Sequence, residues 1–373
     1  MAHMDILIMI ICCSILLGFL VFIHEGGHYL ASRAFGVRVS EFMLGFPGPS
    51  LSFKRGETRF GVTCVPLGGY AKVCGMEPGE MSPHLQPVLA AMYARGTANL
   101  EDIMEDCDLS EEDALFALDE LVEWGSLTGP RKKDPYNTYR VAEAAAPSAR
   151  KARKLQAAGK PVPVAYAEGQ ARPVDDSEAL FQSEYRQQYR SLPFWKRTVI
   201  LLAGVAVNLV FALLAFVVIY SVLGIDYQLP SGEVQHVTLN PLQACAAGVS
   251  YIGMVVQAVV GLFNPATAAE VVSGSTSVVG IAVMSKTAFE QGLVNVLALS
   301  AMLSTSLGIM NLLPIPPLDG GRFVVEVVQK ITRRNASANV MGYLSLAGMI
   351  LFMGFFAIML NQDIQRFIFG NWG

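Results

Sequence analysis

The sequence predicts an α-helical multi-pass membrane protein with four transmembrane helices, a membrane-associated β-hairpin and a small soluble α/β insertion. At 53% hydrophobic and 16% charged residues, the chain is too apolar for an ordinary soluble protein. Four charge-poor segments are long enough to cross a bilayer, because a helix rises about 1.5 Å per residue. They cover about 6–32, 198–223, 291–318 and 338–360.

The basic residues give these segments an orientation. Of the 27 Lys and Arg, 21 lie between Arg33 and Arg197, and none lies from Gly224 to Ser285. Because cytoplasmic loops carry an excess of Lys and Arg, the 33–197 loop is predicted to be cytoplasmic. The N-terminus, the 224–285 loop and the C-terminus are then outside, in a protein of the cell (inner) membrane.

A second apolar stretch leaves the number of spans open. Ala244 to Phe263 could be a fifth span, since 234–269 carries no charge. A crossing there would put Asp319 on the opposite side of the membrane from His24. We therefore favour a partly embedded or outer-surface amphipathic helix for this stretch.

Residues 39–73 have the pattern of β structure. Leu51 to Phe53 alternates, Arg55-Gly56-Glu57 forms a turn, and Arg59 to Val65 returns. Open strand edges cannot face lipid, so this hairpin is expected at the cytoplasmic surface or at the mouth of a site. It either covers the site or accepts an unwound chain as an added strand.

Residues 82–141 form a separate cytoplasmic insertion whose order of helices and wing resembles a winged helix. Ser110 is predicted to cap its third helix, which is acidic and has no Lys or Arg. DNA would repel such a helix, so nucleic acid is the disfavoured partner and a cytoplasmic protein the favoured one. Residues 144–182 are predicted to be a flexible linker. The flanking 5–75 and 183–368 form the membrane core.

The chemistry is concentrated in His24-Glu25-Gly26-Gly27-His28, at the end of the first apolar run. Ionisable groups inside a membrane segment indicate a functional site. His24 and His28 are four residues apart, so they share a helix face and can bind one divalent cation. Glu25 can then accept a proton from a water that the metal activates.

A catalytic zinc site has three protein ligands and one open position, so the histidines need a third ligand. Asp319 is the candidate, because it follows a proline-rich break after Asn311 and precedes Gly320 and Gly321. Broken backbone at membrane depth is tolerated only where protein or a water-filled cavity surrounds it.

These motifs resemble the site-2 protease family of intramembrane zinc metalloproteases. The likeness rests on His24-Glu25-Gly26-Gly27-His28, on Leu318-Asp319-Gly320, and on 203–208, which is similar to the family's AGPxxN run. It implies Zn²⁺ bound by His24, His28 and Asp319, with Glu25 as general base. It also implies cleavage of single-span membrane proteins within the lipid bilayer, such as an anti-sigma factor or another membrane-tethered regulator.

Two asparagines are further candidates for the site. Asn208 and Asn311 can hydrogen-bond the unwound substrate or the oxyanion, or they can instead join helices. The chain also departs from the family pattern. Val205 replaces the usual Pro, 278–281 lacks a Pro, and only about 60 residues stand where many bacterial members carry an external PDZ domain.

Two other functions compete with proteolysis. A membrane sensor with a degenerate metal core is disfavoured by the intact Glu25. A metal transporter would need further polar groups along a path through the membrane, and the sequence offers few.

Overall fold

The computed structural model describes residues 2–65, 68–77, 79–134, 136–147, 149–159, 162–228, 234–334 and 337–369. The α-helices, in chain order, are α1 Ala2–Ala34, α2 Leu85–Arg95, α3 Leu100–Cys107, α4 Glu111–Glu123, α5 Ala149–Ala157, α6 Ser177–Tyr185, α7 Phe194–Val217, α8 Pro241–Gly261, α9 Ala268–Gly274, α10 Val278–Gln291, α11 Leu293–Asn311, α12 Asp319–Thr332 and α13 Ala338–Asp363. The strands are β1 Val39–Leu44, β2 Ser50–Arg55, β3 Thr58–Thr63, β4 Gly69–Val73, β5 Thr97–Asn99, β6 Leu127–Thr128, β7 Thr138–Val141, β8 Ile225–Gln228 and β9 Val234–Val237.

Several helices are long and apolar enough to cross a membrane, as expected for a multi-pass membrane protein. Within the described residues there are five by length and composition, and they are α1, α7, α8, α11 and α13. Each of the four predicted segments overlaps one of them: α1, α7, α11 or α13. Helix α8 qualifies as well, so five described helices, one more than the four predicted segments, have the length and hydropathy of a span. The bent pair α9 and α10, with 45° between its helices, could add a sixth.

The third predicted span, 291–318, is shorter than expected. Helix α11 ends at Asn311, and the chain resumes as α12 only at Asp319. Pro314, Pro316 and Pro317 lack the backbone N–H that a continuing helix requires, so the segment between the helices folds into a loop.

Helix α7 lies at the centre of the membrane core, with α1 and α11 packed against it. Gly27 allows the close approach of α1, because a Cβ there would lie 2.6 Å from the carbonyl oxygen of Ala203. On the other face, Gly308 of α11 packs against Leu209. This packing holds the motif end of α1, the turn with His24 to His28, directly against α7.

The region after α1 is larger than the predicted hairpin. Strands β2 and β3 do form that hairpin, but they belong to a four-stranded sheet in the order β2-β3-β1-β4. Strand β1 pairs in parallel with β3 and antiparallel with β4. The sequence pattern did not predict the four-stranded sheet, because β1 and β3 pair in parallel and no tight turn connects them.

The insertion consists of helices α2 to α4 and a three-stranded sheet in the order β5-β7-β6. Ser110 caps α4 as predicted, since its hydroxyl accepts a hydrogen bond from the amide of Asp113. The buried core contains Leu85, Val88, Leu89, Met92, Tyr93, Ala98, Ile103, Ala114, Ala117, Leu118, Leu121, Trp124, Leu127, Tyr139 and Val141.

The prediction of a flexible linker over 144–182 needs correction. Arg172 lies over the Tyr93 ring, 4.9 Å from its centroid, and its amide donates to the Tyr93 carbonyl at 2.8 Å. Leu180 and Phe181 pack against the core of the insertion. The composition was that of a linker, but these few apolar and aromatic contacts fix its second half to the insertion.

Arg38 joins the insertion to the membrane core. Its buried guanidinium donates to the Trp124 carbonyl at 3.1 Å and to Glu184 at 2.9 Å. Because Arg38 immediately precedes β1, the insertion is attached directly to the sheet beside the motif end of α1. Removing one partner of such a buried ion pair typically lowers the free energy of unfolding by about 3–5 kcal/mol.

Candidate metal centre

The two histidines of α1 meet Asp319 of α12 as predicted. His24 Nε2 and His28 Nε2 each lie 3.2 Å from Asp319 Oδ2, and the two nitrogens are 3.4 Å apart. Both imidazoles are buried, and the Asp319 side chain is 18% exposed. Two chain segments nearly 300 residues apart therefore meet at one point.

The proline-rich loop positions Asp319 as the first residue of α12. The loop folds back closely over the start of the helix, so a Cβ at Gly320 would lie 2.2 Å from the carbonyl oxygen of Leu312. Only glycine fits there. The tight return of the chain places the Asp319 carboxylate against α1.

Hydrogen bonds on the far side of each ring orient the histidines. His28 Nδ1 donates to the carbonyl oxygen of Ile200 at 2.8 Å, which leaves the Nε2 lone pair of a neutral ring free toward Asp319. His24 Nδ1 lies 3.3 Å from the side-chain amide of Asn208. The Asn208 side chain is fully buried. Its Nδ2 makes the contact with His24, and its Oδ1 has no hydrogen-bond partner among the described residues.

This donor set fits zinc. Tetrahedral bonds of 2.0–2.1 Å put neighbouring ligand atoms about 3.3 Å apart, close to the three separations between His24, His28 and Asp319. Asp319 Oδ2 is buried without a hydrogen-bond donor of its own. Outer partners such as Ile200 and Asn208 are what metal-bound histidines require.

Glu25 lies beside this cluster and lines a cavity together with two of its residues. A cavity of about 200 Å³ is lined by Glu25, His28 and Asp319 together with strand β4. The backbone amide of Ala71 in β4 donates to Glu25 Oε2 at 3.0 Å. The carboxylate is thereby held at the cavity wall.

Gly204 of α7 forms the floor of the cluster. A Cβ at this position would lie 2.4 Å from His28 Nε2 and 2.8 Å from His24 Cε1. Any side chain here would enter the space between the ligand atoms. Gly204 belongs to the 203–208 run that resembles the family motif, but its place beneath the ligand atoms is not evident from the sequence.

Comparison with known proteins decides the family, because the model of peptidase family M50 matches residues 12–355. The chain belongs to this family. It is a zinc metalloprotease of the site-2 protease type. Regulator of sigma-W protease RasP of Bacillus subtilis (strain 168) is 24% identical, with 96% of this chain and 98% of that protein aligned. Zinc metalloprotease RasP of Geobacillus kaustophilus (strain HTA426) is 22% identical, with 96% and 98% aligned.

The two asparagines of the M50 peptidase take different positions. Asn208 contacts His24 and has no exposed surface, which fits a structural role better than substrate binding. The Asn311 side chain donates to the Leu307 carbonyl within its own helix at 3.0 Å. Among the described hydrogen bonds, none joins the Asn311 side chain to His24, His28 or Asp319.

Ile200 and Ala71 contact the site through backbone atoms and were not predicted from the sequence. Backbone carbonyls and amides are present at every position, so no residue pattern marks the ones that contact the site. Only their place in the fold identifies them.

Proposed function

We propose that this zinc metalloprotease hydrolyses peptide bonds of single-span membrane proteins at the level of the bilayer. The observation that carries the proposal is the convergence of His24, His28 and Asp319 next to Glu25, with both histidines on an apolar helix. His24, His28 and Asp319 are the zinc ligands, and Glu25 is the general acid–base residue.

The chemistry divides between the metal and the chain. Zinc, when bound, polarises the substrate carbonyl and lowers the pKa of water toward about 7. Glu25 accepts the proton of the attacking water and later delivers it to the leaving nitrogen. The Ala71 amide holds the Glu25 carboxylate in place for both transfers.

A helical substrate has to unwind before its carbonyls can react. Strand β4 is an edge of its sheet, and Gly69, Tyr70, Ala71 and Val73 line the cavity of Glu25. Ala71 stands opposite Phe42, and its amide is directed to Glu25 rather than into the β1 ladder. An extended substrate segment added along β4 passes the metal, so β4, not the β2–β3 hairpin, is the docking strand.

The proposed arrangement in the membrane has four spans: α1, α7, α11 and α13. Helix α8 then lies at the outer surface, where Gly248 packs against Leu213 and Phe216 of α7. In this arrangement 33–197 is cytoplasmic and both termini are outside, and the distribution of Lys and Arg supports this orientation.

Labelling tests this orientation. In intact cells, an impermeant maleimide is expected to modify His236→Cys of strand β9, in the predicted outer loop, above the level of the parent chain. Lys132→Cys of the insertion is expected to react only after lysis. Labelling of Lys132→Cys in intact cells would contradict the arrangement.

The proposed substrates are membrane-tethered regulators such as an anti-sigma factor, because a protein similar over nearly its whole length is named "Regulator of sigma-W protease RasP". The winged-helix-like insertion is proposed to bind a cytoplasmic protein, since its third helix is acidic.

The proteolytic activity is tested with a panel of single-span membrane proteins and the purified, zinc-loaded chain. The expected result is cleavage within or next to the span of at least one member, and loss of that cleavage in Glu25→Gln with zinc retained. Cleavage that persists in Glu25→Gln would overturn the assignment.

A further inference from the structure

Two cavities adjoin at the metal centre. The smaller is lined by Glu25, His28 and Asp319, and the larger, about 860 Å³, lies between residues 75–77 and 79–81, α12 and the start of α13. Four residues line both cavities, and they are Met76, Leu201, Pro317 and Arg322. A chain bound at the metal can therefore continue into the larger cavity past these residues.

Arg322 is the charged residue at this junction. It lies one turn after Asp319 in α12, and its side chain is exposed. Guanidinium Nη1 lies 3.1 Å from the Met76 sulfur, a weak acceptor. Among the described residues, no carboxylate oxygen lies within 4.0 Å of the Arg322 guanidinium, so Arg322 forms no ion pair there.

The other two arginines of the larger cavity are already engaged. Arg197 pairs with Glu326 at 2.9 Å. Arg190 donates to the backbone carbonyls of Gly79 and Glu77. Among the described arginines of the larger cavity, Arg322 is therefore the one whose guanidinium neither pairs with a carboxylate nor donates to an oxygen, so its N–H groups are available to a ligand.

We propose that Arg322 binds a carboxylate of the substrate or product at the junction of the two cavities. The inference rests on the proposed proteolysis, which supplies such a group. Water adds its oxygen to the scissile carbonyl carbon, the C–N bond breaks, and the products are a carboxylate and an amine. An acidic side chain near the scissile bond offers the same chemistry, and a guanidinium matches either one through paired N–H donors.

The test measures binding of fluorescein-labelled peptides to the zinc-loaded full chain in detergent micelles, by fluorescence polarisation. The first pair is leucyl-alanyl-leucine as free acid and as carboxamide. The second pair is two carboxamides that end in aspartate or in asparagine. For the parent chain, the acidic member of at least one pair is expected to bind more tightly.

The variants separate Arg322 from the metal, which can also bind a carboxylate. Arg322→Gln is expected to weaken the acidic member about fivefold, the effect of one partly exposed ion pair, and to leave the neutral member unchanged. Arg322→Lys is expected to keep part of the preference. Arg334→Gln removes the same charge outside both cavities and is expected to change neither peptide.

If Arg322→Gln changes the first pair, the carboxylate is the C-terminus of a product. If it changes the second pair, the carboxylate is an acidic side chain. A preference for acidic peptides that is equal in the parent and in Arg322→Gln, in both pairs, would overturn the proposal, because the metal would then account for it. Cleavage of single-span proteins is assayed separately. Its absence would overturn the proposed proteolysis without altering the binding comparison.

Discussion

The backbone amide of Ala71 donates a hydrogen bond of 3.0 Å to Glu25 Oε2. This contact joins the edge strand of the sheet to the motif helix across 46 positions of sequence. The residue proposed to move the proton and the strand proposed to bind the substrate are thus in direct contact. A substrate paired with β4 would be placed beside Glu25 by the same strand that holds its carboxylate.

The first prediction concerns Glu25. Glu25→Gln keeps an oxygen that can accept from Ala71 but cannot take up a proton, so the rate of cleavage is expected to fall at least about 10²- to 10⁴-fold. Bound zinc, measured by metal analysis of the purified protein, is expected to equal that of the parent. Glu290→Gln, an exposed position in α10, serves as control. Loss of zinc together with activity would instead assign Glu25 to metal binding.

The second prediction concerns the space beneath the metal site. Gly204→Ala puts a methyl group within 2.4 Å of His28 Nε2, so zinc binding is expected to be abolished or greatly weakened. Gly18→Ala is the matched control, because no heavy atom lies within 4 Å of a Cβ there. Metal analysis of both variants checks the result. Full zinc occupancy of Gly204→Ala would show that the ligand atoms bind from another side.

The third prediction concerns Asn208 as a positioning residue for His24. Asn208→Leu removes the contact with His24 Nδ1, and losing such an outer partner typically lowers metal affinity 10- to 100-fold. Asn208→Asp replaces the Nδ2 that faces His24 with a carboxylate oxygen, which can accept a hydrogen bond from Nδ1–H, and it is expected to restore most of the affinity. Competition with a zinc chelator measures both variants.

The control for Asn208 is Asn311→Leu. Its amide donates only to a carbonyl of its own helix, so zinc affinity is expected to stay near that of the parent. A parent-like zinc affinity of Asn208→Leu would remove Asn208 from the site and leave it a role in helix packing alone.

The fourth prediction concerns the pH dependence of the insertion. Burial raises the pKa of Glu123 to about 7, although the Glu77 amide donates to its carboxylate and Arg190 lies nearby. The folded chain therefore binds a proton that the unfolded chain has released between about pH 4.5 and 7. Glu123 therefore makes the free energy of unfolding decrease as pH rises through that window and leaves it unchanged above about pH 7.

Glu123→Gln removes the proton but keeps an acceptor for the Glu77 amide. The unfolding temperature of the variant is therefore expected to exceed that of the parent at pH 8 and to approach it at pH 5. Thermal unfolding of the full chain in micelles at the two pH values measures the difference. An equal difference at both values would show that Glu123 does not titrate in this range.

Local patterns were sufficient for the parts of this protein that depend on near neighbours. Four-residue spacing put His24 and His28 on one helix face, and the prolines after Asn311 ended α11. Asp319 was found because polar groups in an apolar region have few alternatives to a functional site. The cap at Ser110 and the β2–β3 hairpin also follow from short-range geometry.

The sequence by itself determined the membrane class of the chain, the helix carrying the histidines and the chemistry of the residues that meet. The tertiary structure alone decided that Ile200 and Asn208 orient the rings, that β4 is the edge beside Glu25, and that Arg322 lies at the junction of two cavities. These contacts join residues as far apart as the 184 positions between His24 and Asn208. These contacts form only when helices and strands pack against one another, so the spacing of residues along the sequence does not predict them.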